Sequence, residues 1–189
     1  MKKIGADIDM IDSDGETLFI DEKINNVMDF VLEAGGNPNV KNGRGETVTF
    51  IAFKMKDDAV AEVIQDKYIC DINSLDGNEN SLLHLAIYQG EYIRIEYLSK
   101  RRINMDLKDK NDHSILMIAF LQRANFKTLR FLLKCGFNIN TTDNNNNTML
   151  HHLLFTKNPG EHVFKFLINK GIDYNIENKD GQFPISNAI

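Results

Sequence analysis

Apolar residues along this chain recur in short helical patterns that are separated by polar stretches. Leu82, Leu83, Ala86 and Ile87 fall on one face of a helix. A later segment shows the same kind of spacing, at Phe126, Leu129, Leu132 and Leu133. The stretches between such segments are rich in Asn, Asp and Gly, which is turn composition. The pattern predicts short helices, two to a unit, joined by turns.

The polar positions recur every 30 to 35 residues, which indicates a repeat architecture. Hydroxyl residues occur at Thr17, Thr47, Ser81, Ser114 and Thr148, and Phe183 takes the next place. Eight residues before each of these positions stands an Asp or Asn, at Asp9, Asn39, Asn73, Asp106, Asn140 and Asn175. Five residues before each stands another, at Asp12, Asn42, Asp76, Asp109, Asp143 and Asn178. Three registers that stay together predict a stack of similar units.

Each unit combines a connector of constant length with a helical segment of variable length. We expect the hydroxyl at the end of the connector to cap the first helix, a preference worth about 1 kcal/mol over alanine. Gly15, Gly45 and Gly181 stand two residues before this capping position, which favours a left-handed backbone conformation there. Differences in length collect in the helical segment, where they disturb the connector least.

Residues 76–86 resemble the ankyrin-repeat pattern Asp-x-x-Gly-x-Thr-Pro-Leu-His-x-Ala. The stretch Ser81-Leu82-Leu83-His84-Leu85-Ala86 keeps the family's hydroxyl, leucine, histidine and alanine, and Thr148-Met149-Leu150-His151 repeats the first part of it. The alanine recurs at Ala52, Ala86, Ala119 and Ala188. Departures also occur, because Glu79, Asp112 and Asn146 replace the connector glycine. The resemblance covers nearly the whole chain, in degenerate repeats.

The resemblance implies an all-α ankyrin-repeat solenoid of about five helix-turn-helix repeats, with hairpin-like connectors and truncated terminal repeats. The first full unit has Glu22 at the alanine position, so we expect it to be a polar terminal cap. We expect a single domain over 1–189, with partial units 1–9 and 176–189 and full units 10–39, 40–73, 74–106, 107–140 and 141–175.

Composition excludes several classes of protein. No apolar run approaches the roughly 18 residues of a membrane span, and the amino end is not a secretory signal, so we expect a cytoplasmic protein. Cys70 and Cys135 cannot form a disulfide framework, and we expect both to be buried. The net charge is −5, which is unlike the basic surplus of nucleic-acid binders.

The sequence gives no support for catalysis, and we expect no enzyme activity, no cofactor and no metal. Phosphate loops and nucleophile elbows are absent from it. The resemblance implies that His84 and His151 are structural braces between a connector and its neighbour. His152 and His162 lack the spacing of a helical metal site, and we expect His113 to be exposed at a connector tip.

Residues 94–134 carry 10 basic side chains against 4 acidic ones, with the densest cluster at Lys100-Arg101-Arg102. A solvated face of the outer helices explains this segment. The alternative is a docking surface for an acidic protein or a nucleic-acid backbone, which would bind in a salt-sensitive way.

The best candidate for function is a surface. In the family that this chain resembles, partners dock on the concave side, which is formed by connector tips and by the residues seven and eight positions after the capping hydroxyl. Candidate anchors are Met55, Tyr88, Leu121 and Phe155, and candidate polar rim residues are Arg44, Asn78, Asn111 and Asn145. Aromatic residues and methionine are enriched in interface cores. The alternative is that the anchor side chains are buried against the adjoining repeat.

We therefore expect a non-catalytic, monomeric scaffold or adaptor that binds a protein partner. Two alternatives stay open. In the first alternative the chain is a stoichiometric inhibitor or immunity protein that masks a partner enzyme. In the second it is the interaction segment of a larger effector or enzyme.

Overall fold

The computed structural model describes residues 33–55, 70–101, 103–155 and 160–187. They belong to two compact units, Met1–Leu85 and Ala86–Ile189. Most of the predicted terminal cap, 10–39, and the partial unit 1–9 lie outside the described residues, as do 56–69. The expected single domain over 1–189 stays a prediction.

Short α-helices make up the described part of the chain, which contains no β-strand. Helix α1 is Val48–Lys54 in the first unit, and the division between the units falls within α2, Leu82–Tyr88. The second unit contains α3 to α7 and a 3₁₀ helix: Tyr92–Ser99, Ile115–Leu121, Phe126–Lys134, Met149–Leu154, Glu161–Asn169 and Pro184–Asn187. The pairs α2–α3, α4–α5 and α6–α7 are the helix pairs predicted for 74–106, 107–140 and 141–175.

The recurring Asp or Asn at the start of each connector holds the turn by accepting main-chain hydrogen bonds. Asp76 Oδ1 accepts from the amides of Asn78 and Asn80, at 2.9 and 2.8 Å. The same two bonds recur in the other four described connectors, at Asn42, Asp109, Asp143 and Asn178. An oxygen acceptor two and four residues before the amides is therefore the physical reason for this register.

Successive connectors are joined by a main-chain hydrogen bond within each unit. In the first unit the Gly77 amide donates to the Arg44 carbonyl at 2.7 Å. In the second unit Asn144 donates to Asn111 at 3.2 Å, and Lys179 to Asn145 at 2.9 Å. The three bonds occupy the same register, so the connectors stack in a regular way.

Four capping hydroxyls occupy the predicted N-cap position of the first helix of their repeat. Thr47, Ser81, Ser114 and Thr148 each accept from the amide three residues later, at 3.2 to 3.5 Å. Fully buried valine, leucine, isoleucine and methionine side chains follow them directly. In the second unit α4 packs against α5 and α6, and α6 packs against α7 and the 3₁₀ helix. The cap thus fixes where each core-forming helix begins.

Left-handed backbone is found at the connector position where glycine was predicted to require it. Gly45 and Gly181 have φ of 74° and 71°. The residues that replace glycine keep the same conformation, since φ is 65° at Glu79, 64° at Asp112 and 61° at Asn146. Repeat geometry therefore overrides the residue preference, at a cost of roughly 1 kcal/mol for a side chain with a Cβ atom.

Replacing Glu79 with glycine is expected to stabilise the chain by roughly 1 kcal/mol, because it removes this backbone penalty from an exposed site. Urea unfolding followed by circular dichroism measures the change. Glu79→Ala is the control, since it shortens the side chain but keeps the Cβ atom. Equal midpoints for Glu79→Gly and Glu79→Ala would contradict the prediction.

Replacing Gly77 with alanine is expected to cost about 1–3 kcal/mol, as an overpacked site does. A Cβ atom on Gly77 would stand 2.6 Å from the Arg44 carbonyl oxygen, to which the Gly77 amide is bonded. The matched control is Lys110→Ala, at the same connector position in a repeat that already has a side chain there. Thermal unfolding should separate the two variants by several degrees, and the prediction fails if both melt like the wild type.

Candidate functional site

A row of exposed apolar side chains lies at the carboxyl ends of three first helices. Tyr88 ends α2, Leu121 ends α4 and Phe155 caps α6. They are 44%, 37% and 48% exposed, although the residues before them on the same helices form the core. The alternative in which these side chains are buried is therefore wrong. We call Tyr88, Leu121 and Phe155 the apolar row.

Exposure of the row follows from the short length of the helices. In α4 the five residues from Ile115 to Ala119 are buried, whereas Leu121 is the last helical residue and Gln122 caps the helix. A side chain at the final position projects beyond the packed part of the helix. In the first unit Met55, one residue later relative to its cap than the row residues, is the C-cap of α1 and is 48% exposed.

The four predicted rim residues lie at connector tips and are exposed: Arg44 and Asn78 in the first unit, and Asn111 and Asn145 in the second. The carbonyls of Arg44, Asn111 and Asn145 accept the stacking bonds between connectors. Because those bonds use only main-chain atoms, they place the tips without engaging their side chains.

His151 joins two connectors, as the sequence resemblance implied, and His84 holds the cap of its own helix. His151 is fully buried, its Nδ1 accepts from the Thr148 amide at 3.0 Å, and its Nε2 lies 3.0 Å from the Gln182 carbonyl in the next connector. The ring thus joins its own cap to the neighbouring repeat. His84 is equally buried in the first unit and accepts from the Ser81 amide at 2.9 Å.

A second polar cluster, which the sequence did not reveal, joins His113, Asp143 and His152. One ligand atom of each lies within 4.8 Å of the others, and the two imidazole rings meet edge to face at 6.1 Å between centroids. The expectation that His113 is exposed is wrong, because its side chain is only 17% exposed and bonds to Asp109. We call His113, Asp143 and His152 the histidine cluster.

Burial and hydrogen bonding pull on the pKa values of this cluster. Burial lowers the pKa of His152 despite its bond to Asp143, and the nearby His113 and His151 lower it further. Burial acts to raise the pKa of Asp143, but bonds from Asn147, Asn145 and His152 outweigh it and leave the pKa lowered. Asp109 has a lowered pKa for the same reasons, with His113 and Asn111 as donors. The cluster thus combines the ionised carboxylate of Asp143 with an imidazole, that of His152, which favours its neutral form.

His162 is outside the histidine cluster. Its ring lies 5.7 Å from that of Phe126, measured between centroids, at a steep angle.

An overlay of neighbouring repeats would have found the histidine cluster in the sequence. His113 stands four residues after Asp109, His152 stands nine after Asp143, and the repeats that carry them are adjacent.

Cations of the segment 94–134 lie on aromatic rings as well as in solvent. Arg101 lies 3.3 Å from the ring centroid of Tyr97, and Lys127 lies 3.9 Å from that of Tyr92. Lys100 pairs with Glu96 at 2.8 Å and lowers its pKa. At least three of the ten basic side chains of this segment are therefore engaged in local contacts.

The two cysteines are only partly buried, so the expectation of full burial is wrong. Burial raises the pKa of both thiols, so both favour the protonated form.

Among the described residues no helix has the length and apolar composition needed to span a membrane.

Residues 83–180, which are more than half of the chain, match the family model described as "Ankyrin repeats (3 copies)". The chain belongs to the ankyrin-repeat family. The ankyrin repeat domain of Bcl-3 has the same fold, with a TM-score of 0.82 over 98% of this chain and 83% of that chain, at 20% identity. The ankyrin-repeat solenoid expected from the sequence is thus confirmed, and such repeats are in general protein-interaction modules.

Among curated relatives, Inversin from Canis lupus familiaris is 33% identical over 117 residues, which is 61% of this chain and 10% of that protein. The Danio rerio protein ZDHHC13, whose name provisionally assigns it to the palmitoyltransferases, is 27% identical over 97% of this chain and 29% of its own length. The chain therefore spans between a tenth and a third of these relatives.

Replacing His151 with methionine, the residue that Met117 provides at this position in α4, is expected to destabilise this ankyrin domain by about 1–3 kcal/mol. The Thr148 amide and the Gln182 carbonyl would lose a buried partner. Urea unfolding measures the loss, and His162→Gln is the control on an exposed ring. A His151→Met chain as stable as the wild type would show that the brace contributes nothing.

Proposed function

We propose that this chain is a non-catalytic protein-binding module whose apolar row anchors a partner. The observation that carries the proposal is the exposure of an apolar side chain at one register on the first helices of three successive repeats. Exposed apolar surface of this kind is typical of interaction sites, and aromatic anchors with a polar rim are typical of interface centres. Asn111 and Asn145, which are exposed at connector tips, are the residues that we propose for that rim.

The spacing of the row limits what it can bind. Helices in direct contact pack with axes about 8–10 Å apart, and α4 packs against α6. Leu121 and Phe155, at the ends of these two helices, therefore suit a partner with apolar side chains about 10 Å apart. Residues i and i+7 of an α-helix meet that spacing, since seven residues rise about 10.5 Å.

A preformed surface lowers the ordering cost of association. The stacking bonds, the caps and the buried cores fix the helix ends before any partner arrives. In the first unit the same role falls to Met55, which stands one residue later than this register, with Arg44 and Asn78 as its rim. A cytoplasmic, monomeric adaptor is the setting that we propose for this activity.

The double substitution Tyr88→Ser with Phe155→Ser is expected to reduce partner capture at least tenfold, because both anchors lose their apolar area. Affinity purification with quantitative mass spectrometry compares the variant with the wild type. Circular dichroism should be unchanged, since both side chains are exposed in the free chain.

Ile93→Ser is the matched control, because Ile93 is 77% exposed but lies on α3, the second helix of its repeat, and outside the register of the apolar row. Partners that bind the row are kept by Ile93→Ser and lost by the double variant. Full capture by a folded double variant would reject the row as the binding surface.

A further inference from the structure

We propose that the histidine cluster is a Zn²⁺ site, with His113 and His152 as nitrogen ligands and Asp143 as an oxygen ligand. Two imidazoles and one carboxylate are a ligand set that zinc uses when a fourth position is left to water or another group. The three ligand atoms already lie within 4.8 Å of one another, on two adjacent repeats of the second unit.

His113 is oriented for this role by a carboxylate behind it. Asp109 Oδ2 lies 3.0 Å from His113 Nδ1, and an ionised carboxylate can only accept, so Nδ1 carries the proton. In the neutral ring the lone pair is then on Nε2, the nitrogen that remains for a metal. Metal-binding histidines characteristically donate the N–H of their other ring nitrogen to a carboxylate, carbonyl or water.

Asp109 is itself held in place. Its Oδ1 accepts from the amides of Asn111 and His113, both at 2.9 Å, which leaves Oδ2 for the imidazole. The carboxylate therefore acts through His113 as a positioning residue, and its negative charge also partly compensates that of a bound cation.

The Asp143 carboxylate and the His152 imidazole already form a hydrogen bond. Asp143 Oδ1 is occupied by the amides of Asn145 and Asn147, while Oδ2 lies 2.9 Å from His152 Nε2. A zinc ion can replace the proton in this hydrogen bond if His152 carries its ring proton on Nδ1 instead of Nε2. The Asn147 side chain, 3.2 Å from Oδ2, steadies the carboxylate.

The distances fit after small side-chain rotations. Zn–N and Zn–O bonds of about 2.0–2.2 Å place tetrahedral ligand atoms about 3.3 Å apart. The 2.9 Å pair has to open slightly and the longest pair, at most 4.8 Å, has to close. The cluster is accessible to an ion, because the His113 and His152 side chains are 17% and 24% exposed.

Neighbouring repeats show that the connectors and helices do not need these residues for folding. Asn80 and Asn147 hold the position of His113, and Asn147 bonds its connector carboxylate as His113 does. Leu85 and Ile118 hold the position of His152. Asn42 and Asn178 hold the position of Asp143 and still accept both turn bonds. The two positions carry histidine only in the adjacent repeats 107–140 and 141–175, where the two side chains can contact each other.

The test is isothermal titration of ZnCl₂ into the full chain after removal of metals with a chelator. We expect saturable binding of one ion per chain, and Co²⁺ in place of Zn²⁺ should give the visible absorption of a tetrahedral site. His113→Asn, Asp143→Asn and His152→Leu each install the residue of another repeat, and each should weaken Zn²⁺ binding at least tenfold. His162→Gln, outside the cluster, should bind like the wild type.

Melting curves with and without Zn²⁺ separate binding from folding. Zinc should raise the melting temperature of the wild type and of His162→Gln, but not that of the chain that carries all three ligand substitutions. The proposal is overturned if the wild type shows no saturable Zn²⁺ binding. It is also overturned if a folded His113→Asn chain binds as tightly as the wild type, since a ligand that can be removed without effect is no ligand.

Discussion

The structure depends on one interaction, in which a side-chain oxygen of Asp or Asn accepts hydrogen bonds from two main-chain amides. It turns the chain at the start of each described connector, and the turn delivers the hydroxyl that caps the next helix. The turn also aims a main-chain amide at the neighbouring connector, so that repeats stack. Helices of only six to nine residues are marginal alone, and they persist because caps and packing define them.

The same constraint explains how much could be predicted from the sequence. The registers of the connector Asp or Asn and of the capping hydroxyl gave the helix starts, because those side chains have a direct main-chain partner. The brace at His151 followed from family resemblance. The left-handed conformation at Glu79 did not follow from the residue type, since it is imposed by the connector on a side chain that disfavours it.

The candidate sites were harder to predict, because they depend on neighbours that are distant in sequence. Exposure of the apolar row depends on where each short helix stops, which periodicity alone does not define. The histidine cluster joins residues from two repeats, and inspection of each histidine within its own repeat placed His113 in solvent. Aligning the repeats side by side is the step that brings His113 and His152 together.

The stacking bonds between connectors have a consequence for how this surface can change. They run from amide to carbonyl, so most residue types at a tip leave them intact. Arg44 differs in charge and length from Asn111 and Asn145 yet offers the same acceptor. Recognition can therefore diversify at the tips by single substitutions while the scaffold that presents them is conserved, and such a molecule can acquire a new partner without first evolving a new fold.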